Sequence, residues 1–145
     1  MRPIGRNRGI VILRLAILVL FTCVPSVGAA LMTDFPICDS RPRITCVVDG
    51  DTVWVGGVKY RLEGIDTPEK GALAKCMQEG LQAIQATNRL AEILSTNAFT
   101  IRSNGTDRYG RVLARFVIGD RTAGEMLVDE GLARPWRGRR ESWCE

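Results

Sequence analysis

The sequence predicts an α+β fold, in which an all-β core of five strands forms a small barrel and two or three α-helices pack on it. Three observations point there. Short β-branched runs lie on either side of a Gly-Gly pair between residues 43 and 65. The hydrophobic period then lengthens to that of a helix across residues 72–94. Two more strand-like runs follow, and a second short helical pattern comes after them.

Residues 1–29 stand apart from the rest. Arg2, Arg6, Arg8 and Arg14 precede an apolar run over residues 15–24, and Pro25 leads into the small residues "SVGAA". A basic start, a short apolar stretch and a small-residue cut site make a secretory signal peptide, with the cut expected after Ala29. The run is shorter than the roughly 20 apolar residues of a membrane span, which argues against a retained anchor. Thr22 in "LFTC" is large for the residue before a lipidated Cys23. The expectation is a secreted or periplasmic monomer without stable membrane association after cleavage.

Residues 30–42, with Pro36 and Pro42, read as a lead-in, and residues 43–145 as one domain. "RITCVV" predicts a strand over 43–48, and "DGD" a turn or bulge. "TVWV" and "VKYRLEGI" flank Gly56-Gly57 as a hairpin. Pro68 biases Thr67 away from helical geometry, so the chain turns there. Met77, Leu81, Ile84, Ala91 and Leu94 mark an amphipathic helix. "AFTIRS" and "RVLARFVI" are the last two strands, the second with Val112, Ala114, Phe116 and Ile118 on one face. Thr122 and Glu125 form a capping box that opens a helix to Glu130, and Gly131 ends it. This order fits a partly open, five-stranded OB-fold barrel. A parallel α/β sheet would need alternating helices that the pattern lacks.

The formal charge of the whole chain is +4. Without the four leader arginines, basic and acidic residues balance at 16 each. A basic pI therefore gives no argument for nucleic-acid binding, and such an argument must rest on placement. Arg134, Arg137, Arg139 and Arg140 cluster near the C-terminus, where they read equally as a binding patch or as a solvated tail offset by Glu141 and Glu145. Cys38, Cys46, Cys76 and Cys144 remain after cleavage, an even set expected to form two disulfides, with three pairings open. Their spacing matches no zinc module. The chain has no histidine, which excludes Ser-His and Cys-His nucleophiles and leaves proton transfer to carboxylates, Lys, Tyr or water.

Three short stretches carry candidate chemistry: "DGDT" at 49–52, "RLEGIDTPEK" at 61–70 and "DRYGR" at 107–111. Singly, each reads as an ordinary turn or loop. Jointly they offer hard oxygen donors in Asp51, Asp66 and Glu69, of the kind that suits calcium or magnesium. Arg61 and Arg111 add planar forks that match phosphate oxygens. A metal, a carboxylate base and two guanidinium groups suffice for phosphodiester hydrolysis.

"VVDGDTVWV", "YRLEGIDTPE" and "DRYGRVLARFV", in that order, resemble the staphylococcal-type thermonuclease family, and "GEMLVDEGLARPW" resembles the segment that follows in it. The resemblance spans residues 44–136. It implies an OB-fold nuclease that uses Ca2+ and cleaves DNA and RNA to leave 3′-phosphate ends. Carried over residue by residue, it implies that Asp51 and Asp66 bind calcium and that Thr67 adds its backbone carbonyl. Glu69 would be the general base, Arg61 and Arg111 the stabilisers of the transition state, and Arg108 and Tyr109 contacts to a flanking phosphate. This sequence departs from the family in a shorter hairpin after "DGDT", in Arg137 where a base-stacking tyrosine is usual, and in "RGRRESWCE" where a further helix is usual. Trp136 is the stacking candidate, with closure of the barrel core as its competing role. Cys144 is placed to pin the tail. The alternative function is a non-catalytic OB-type module that binds nucleic acid or protein. Against it stand the five charges Asp51, Arg61, Asp66, Glu69 and Arg111, which a binder does not need.

Overall fold

The computed structural model describes residues 33–39 and 41–145. The expected signal peptide therefore lies outside the described residues. Strands β1 (Cys46–Asp49), β2 (Thr52–Val55) and β3 (Val58–Leu62) form an antiparallel meander. A short β4 (Ile65–Asp66) follows, and Gly71–Leu73 make one 3₁₀ turn before helix α1 (Met77–Thr96). Then come β5 (Thr100–Thr106), β6 (Val112–Ile118), a two-residue β7 (Arg121–Thr122), helix α2 (Ala123–Asp129) and β8 (Arg134–Pro135).

The main sheet runs β1-β2-β3-β6-β5, with β7 beside β6, and β4 pairs separately with β8. Among the described residues no ladder joins β5 back to β1, so the hydrogen-bonded path is open. The fold is a mixed α+β sheet with two α-helices. β3 lies parallel to β6, and every other pair is antiparallel.

Local chemistry explains most of these elements. Gly56 and Gly57, both at positive φ, make a two-residue turn between the paired Val55 and Val58. The β1 register slips between Val47 and Asp49, a bulge at Val48, after which Asp49 pairs with Thr52 and Gly50-Asp51 form the turn. Both arms of the capping box at Thr122 and Glu125 are formed, at 3.2 Å and 2.7 Å. The core face of β6 carries buried Ala114 and Phe116, with Val112 and Ile118 half-buried on the same side. Phe35, from the segment read as a lead-in, reaches the core and contacts Phe99 edge-on at 5.6 Å. Phe99, Phe116 and Tyr60 extend that aromatic row.

Helix α1 corrects the expected core stripe and starts five residues later than 72. Met77, Leu81 and Ile84 are exposed, while Ala83, Ala86, Thr87, Leu90, Ile93 and Leu94 are buried. Large apolar residues marked the wrong face because close packing needs small ones here. A Cβ placed on Gly50 would sit 2.8 Å from the Ala86 Cβ and 3.0 Å from the Thr67 Cβ. Only a helix with a small residue at that point, here Ala86, can lie this close to the turn that carries Asp51.

Two disulfides, Cys38–Cys46 and Cys76–Cys144, select one of the three open pairings. With all four thiols bonded to one another, none remains as a zinc ligand.

Gly50→Ala is expected to cost about 1–3 kcal/mol through overpacking against Ala86 and Thr67. Urea denaturation followed by tryptophan fluorescence checks it; wild-type stability would show that α1 can shift to make room.

Candidate active site

The sheet's alternation gathers the charged residues. Thr52 pairs with Arg61 across β2 and β3, so Arg61 lies opposite the residue after Asp51. Arg61 Nη1 pairs with Asp51 Oδ2. Arg61 is also in register with Leu113 on β6, and Arg111 precedes Leu113 by two residues. In a strand, residues two apart share a face, so Arg61 and Arg111 belong to one side of the sheet while Leu62 and Ala114 face the core. The Asp51 backbone is held by Leu62 N–H donating to its carbonyl at 2.8 Å.

These residues line one cleft of about 1020 Å³, together with Asp49, Lys59, Thr67, Glu69, Arg108, Tyr109, Trp136 and Arg140. Pro68 is fully buried and turns the chain between Thr67 and Glu69. Asp51, Asp66 and Thr67 are each less than 5% exposed. Tyr109 is exposed, and the Arg108 guanidinium stacks over its ring at 4.8 Å while also donating to its hydroxyl at 2.7 Å. Trp136 is 45% exposed at the cleft, with its N–H donating to Gly64 O at 2.8 Å. It does not fill the core; Trp143 is the tryptophan that is buried.

Three residues at the site, Asp107, Glu79 and Trp143, are given no role by sequence reasoning, and a fourth, Arg140, is read there only as one of a C-terminal cluster. Asp107 accepts from the N–H groups of Tyr109 and Arg111, both at 2.9 Å, and from Arg111 Nε at 2.7 Å. It fixes both the loop and the Arg111 side chain, and the quoted "DRYGR" already contained it. Glu79 is buried on the first turn of α1 and accepts from the N–H groups of Glu69 at 3.2 Å and Lys75 at 2.7 Å. Arg140 pairs with Asp66 at 3.0 Å and with Glu69. Trp143 Nε1 donates to Asp66 Oδ2 at 3.4 Å. The last three reach the site across 10 to 77 residues of sequence, so no local motif signals them.

The C-terminal arginines divide by role. Arg140 enters the cleft, Arg134 stacks on Trp143 at 3.9 Å, and Arg137 lies in solvent, 3.9 Å from Glu141.

Burial dominates the electrostatics of the carboxylates here. Burial pushes the Asp49 carboxyl up to about 6, and the Asp51 charge adds to it. Burial also raises Asp66, with Arg140 and Trp143 working against that and Asp51 adding to it. Asp66 Oδ1 is buried and accepts no hydrogen bond, its contact with Arg140 being an ion pair outside hydrogen-bond geometry. All the donors are oxygens. Such a set fits a hard divalent cation, which would relieve both the crowding and the orphaned oxygen.

With this geometry in place, comparison with known proteins decides the family. The family described as Staphylococcal nuclease homologue matches residues 59–143. The chain belongs to the staphylococcal nuclease family. The match covers Arg61, Asp66, Thr67, Glu69 and Arg111 and begins after Asp51. The chain is also 33% identical over 96 residues to SPbeta prophage-derived endonuclease YokF of Bacillus subtilis (strain 168), covering 60% of this chain and 31% of that protein. It is 31% identical over 96 residues to Endonuclease YncB of the same organism, covering 60% of this chain and 44% of that one. The chain spans less than half the length of either relative.

Asp107 supplies the pH-dependent element of the loop. Burial pushes its carboxyl upward, but the hydrogen bonds and charge from Arg111 and the Tyr109 N–H outweigh that and hold it below its ordinary 3.8. A lowered carboxylate stabilises the fold above its unfolded value and ceases to as pH falls through the folded one. Asp107→Ala is expected to lose about 1–3 kcal/mol at pH 7, with the loss shrinking below about pH 4. Denaturation curves at the two pH values check it.

Proposed function

We propose that this chain is an exported, calcium-dependent endonuclease that hydrolyses phosphodiester bonds of DNA and RNA on an OB-type barrel. The observation that carries it is one cleft that holds Asp51, Thr67 and Glu69 against Arg61 and Arg111. Family membership and the names of the two relatives support the reaction class. The two disulfides support export, since such bonds persist in oxidising compartments.

Asp51, Asp66 and the Thr67 carbonyl would hold the calcium, which when bound supplies charge stabilisation to the phosphate oxygens. Glu69 accepts the proton of the attacking water as the oxygen forms its bond to phosphorus. Arg61 and Arg111 turn their forks from Asp51 and Asp107 toward the phosphate and stabilise the charge that builds on its oxygens. The leaving 5′ oxygen takes a proton from solvent, which fits a cleft open at the Tyr109 rim. Arg108 and Tyr109 stand where a neighbouring phosphate would lie, and Trp136 offers a face for a base. Glu79 keeps the Glu69 backbone in place from behind.

The test is the rise in absorbance as denatured single-stranded DNA, and separately RNA, is degraded by the oxidised protein. Glu69→Gln is expected to lower kcat about 10²–10⁴-fold. Arg61→Ala and Arg111→Ala are expected to cost at least as much, since arginine on phosphoryl charge contributes on the order of 10³–10⁵ in related chemistry. A calcium chelator should stop the reaction, and added Ca2+ should restore it. A folded protein inactive across pH and calcium concentration would leave a module that binds without cleaving.

A further inference from the structure

Arg140 bridges two carboxylates that the proposed reaction needs free. Its Nη2 lies 3.0 Å from Asp66 Oδ1, and its Nη1 pairs with Glu69 Oε1. One guanidinium therefore contacts both a proposed calcium ligand and the proposed base. Its reach is not that of a loose tail. Arg134 covers the Trp143 ring at 3.9 Å and donates to Ser142 O at 2.8 Å. Trp143 is 6% exposed and donates to the other oxygen of Asp66 at 3.4 Å. Cys144 is bonded to Cys76 at the N-cap of α1. The chain just after Arg140 is thus fixed at three points, and the side chain is aimed across the cleft.

A divalent cation on Asp66 and the Arg140 guanidinium compete for Oδ1, because two positive charges at contact repel. We propose that Arg140 is a resident counter-ion that sets the affinity of the site for its divalent cation. The cation displaces it from Asp66, and the same displacement takes from Glu69 its ion-pair partner. Arg140 acts through these two carboxylates and is a positioning residue. The inference rests on the calcium reading of Asp51 and Asp66 given above.

Calorimetric titration of the oxidised full chain with Ca2+ alone, without nucleic acid, tests it. Arg140→Gln is expected to bind Ca2+ roughly 3- to 10-fold more tightly than wild type. Arg140→Lys, which keeps the charge but lacks the planar fork, should fall between them and serves also if the Gln variant does not fold. A merely structural role predicts the reverse, since a loosened site binds the ion more weakly. Wild-type or weaker affinity in both variants, with the near-ultraviolet tryptophan signal intact, would overturn the proposal. If wild type binds Ca2+, Asp66→Asn abolishes binding and Arg140→Gln changes nothing, the metal reading stands and only the role of Arg140 falls. If neither wild type nor Arg140→Gln binds the ion, the metal reading falls and takes this inference with it.

Discussion

Asp51, Asp66 and Glu79 are each less than 5% exposed, and a carboxylate taken out of water must find a partner or give up its charge. Much of the local architecture follows from that demand. Asp51 takes Arg61 from the opposite strand, an arrangement made possible by the Thr52-to-Arg61 register. Glu79 takes two backbone N–H groups and so ties the start of α1 to the loop that carries Glu69. Asp66 takes Arg140 and Trp143 and so fastens the C-terminal segment to β4. Hydrogen bonds to a charged group are worth roughly 1.5–3 kcal/mol each, and breaking a buried pair costs more than forming it gains. The same three residues thus organise three separate pieces of chain around one cleft.

The Cys76–Cys144 bond works in concert with this arrangement. It closes a loop of 68 residues, which in the chain-entropy account removes about 4 kcal/mol of denatured-state freedom. Its location matters as much as its size. It joins the N-cap of α1 to the residue after Trp143, so the tail that touches Asp66 is anchored to the helix whose Glu79 touches Glu69. The exported state expected from residues 1–29 and the geometry of the cleft are linked through this one bond.

How far the sequence foretold the fold depended on the range of the signal. The Gly-Gly hairpin, the alternation on β6 and the capping box at Thr122 are set by residues within a few positions of one another, and each forms as expected. The face of α1 was misread because burial there follows close approach to Gly50, a tertiary constraint that favours Ala83 and Ala86 over Met77 and Leu81. Asp51, Arg61, Thr67, Glu69, Arg108, Tyr109, Arg111 and Trp136 line one cleft, and Asp66 is buried and paired with Arg140 of that lining, but their local partners do not all announce themselves. Asp107 sits inside a motif already in view, whereas Arg140, one of the arginines of the C-terminal cluster, and Trp143 act across more than 70 residues. The cysteine pairing was undecidable for the same reason, since nothing in the spacing brings 76 to 144.

The balanced charge expected once the leader is removed shapes what this cleft can do. Long-range attraction for a polyanion is weak in such a chain, so under the proposed function capture would depend on Lys59, Arg61, Arg108, Arg111 and Arg140 acting at short range. All four of those arginines are held by the protein's own carboxylates or ring: Arg61 by Asp51, Arg111 by Asp107, Arg108 by Tyr109 and Arg140 by Asp66 and Glu69. A phosphate therefore arrives at forks that are already oriented, and it replaces an existing ion pair where it might otherwise have to order a free side chain. That exchange lowers the net affinity for any one phosphate but preserves the geometry needed at the reacting one. The chemistry depends on transition-state charge being held more tightly than ground-state charge. Pre-oriented arginines with carboxylate partners to return to meet that requirement, because a phosphate gaining charge competes for them better than one at rest.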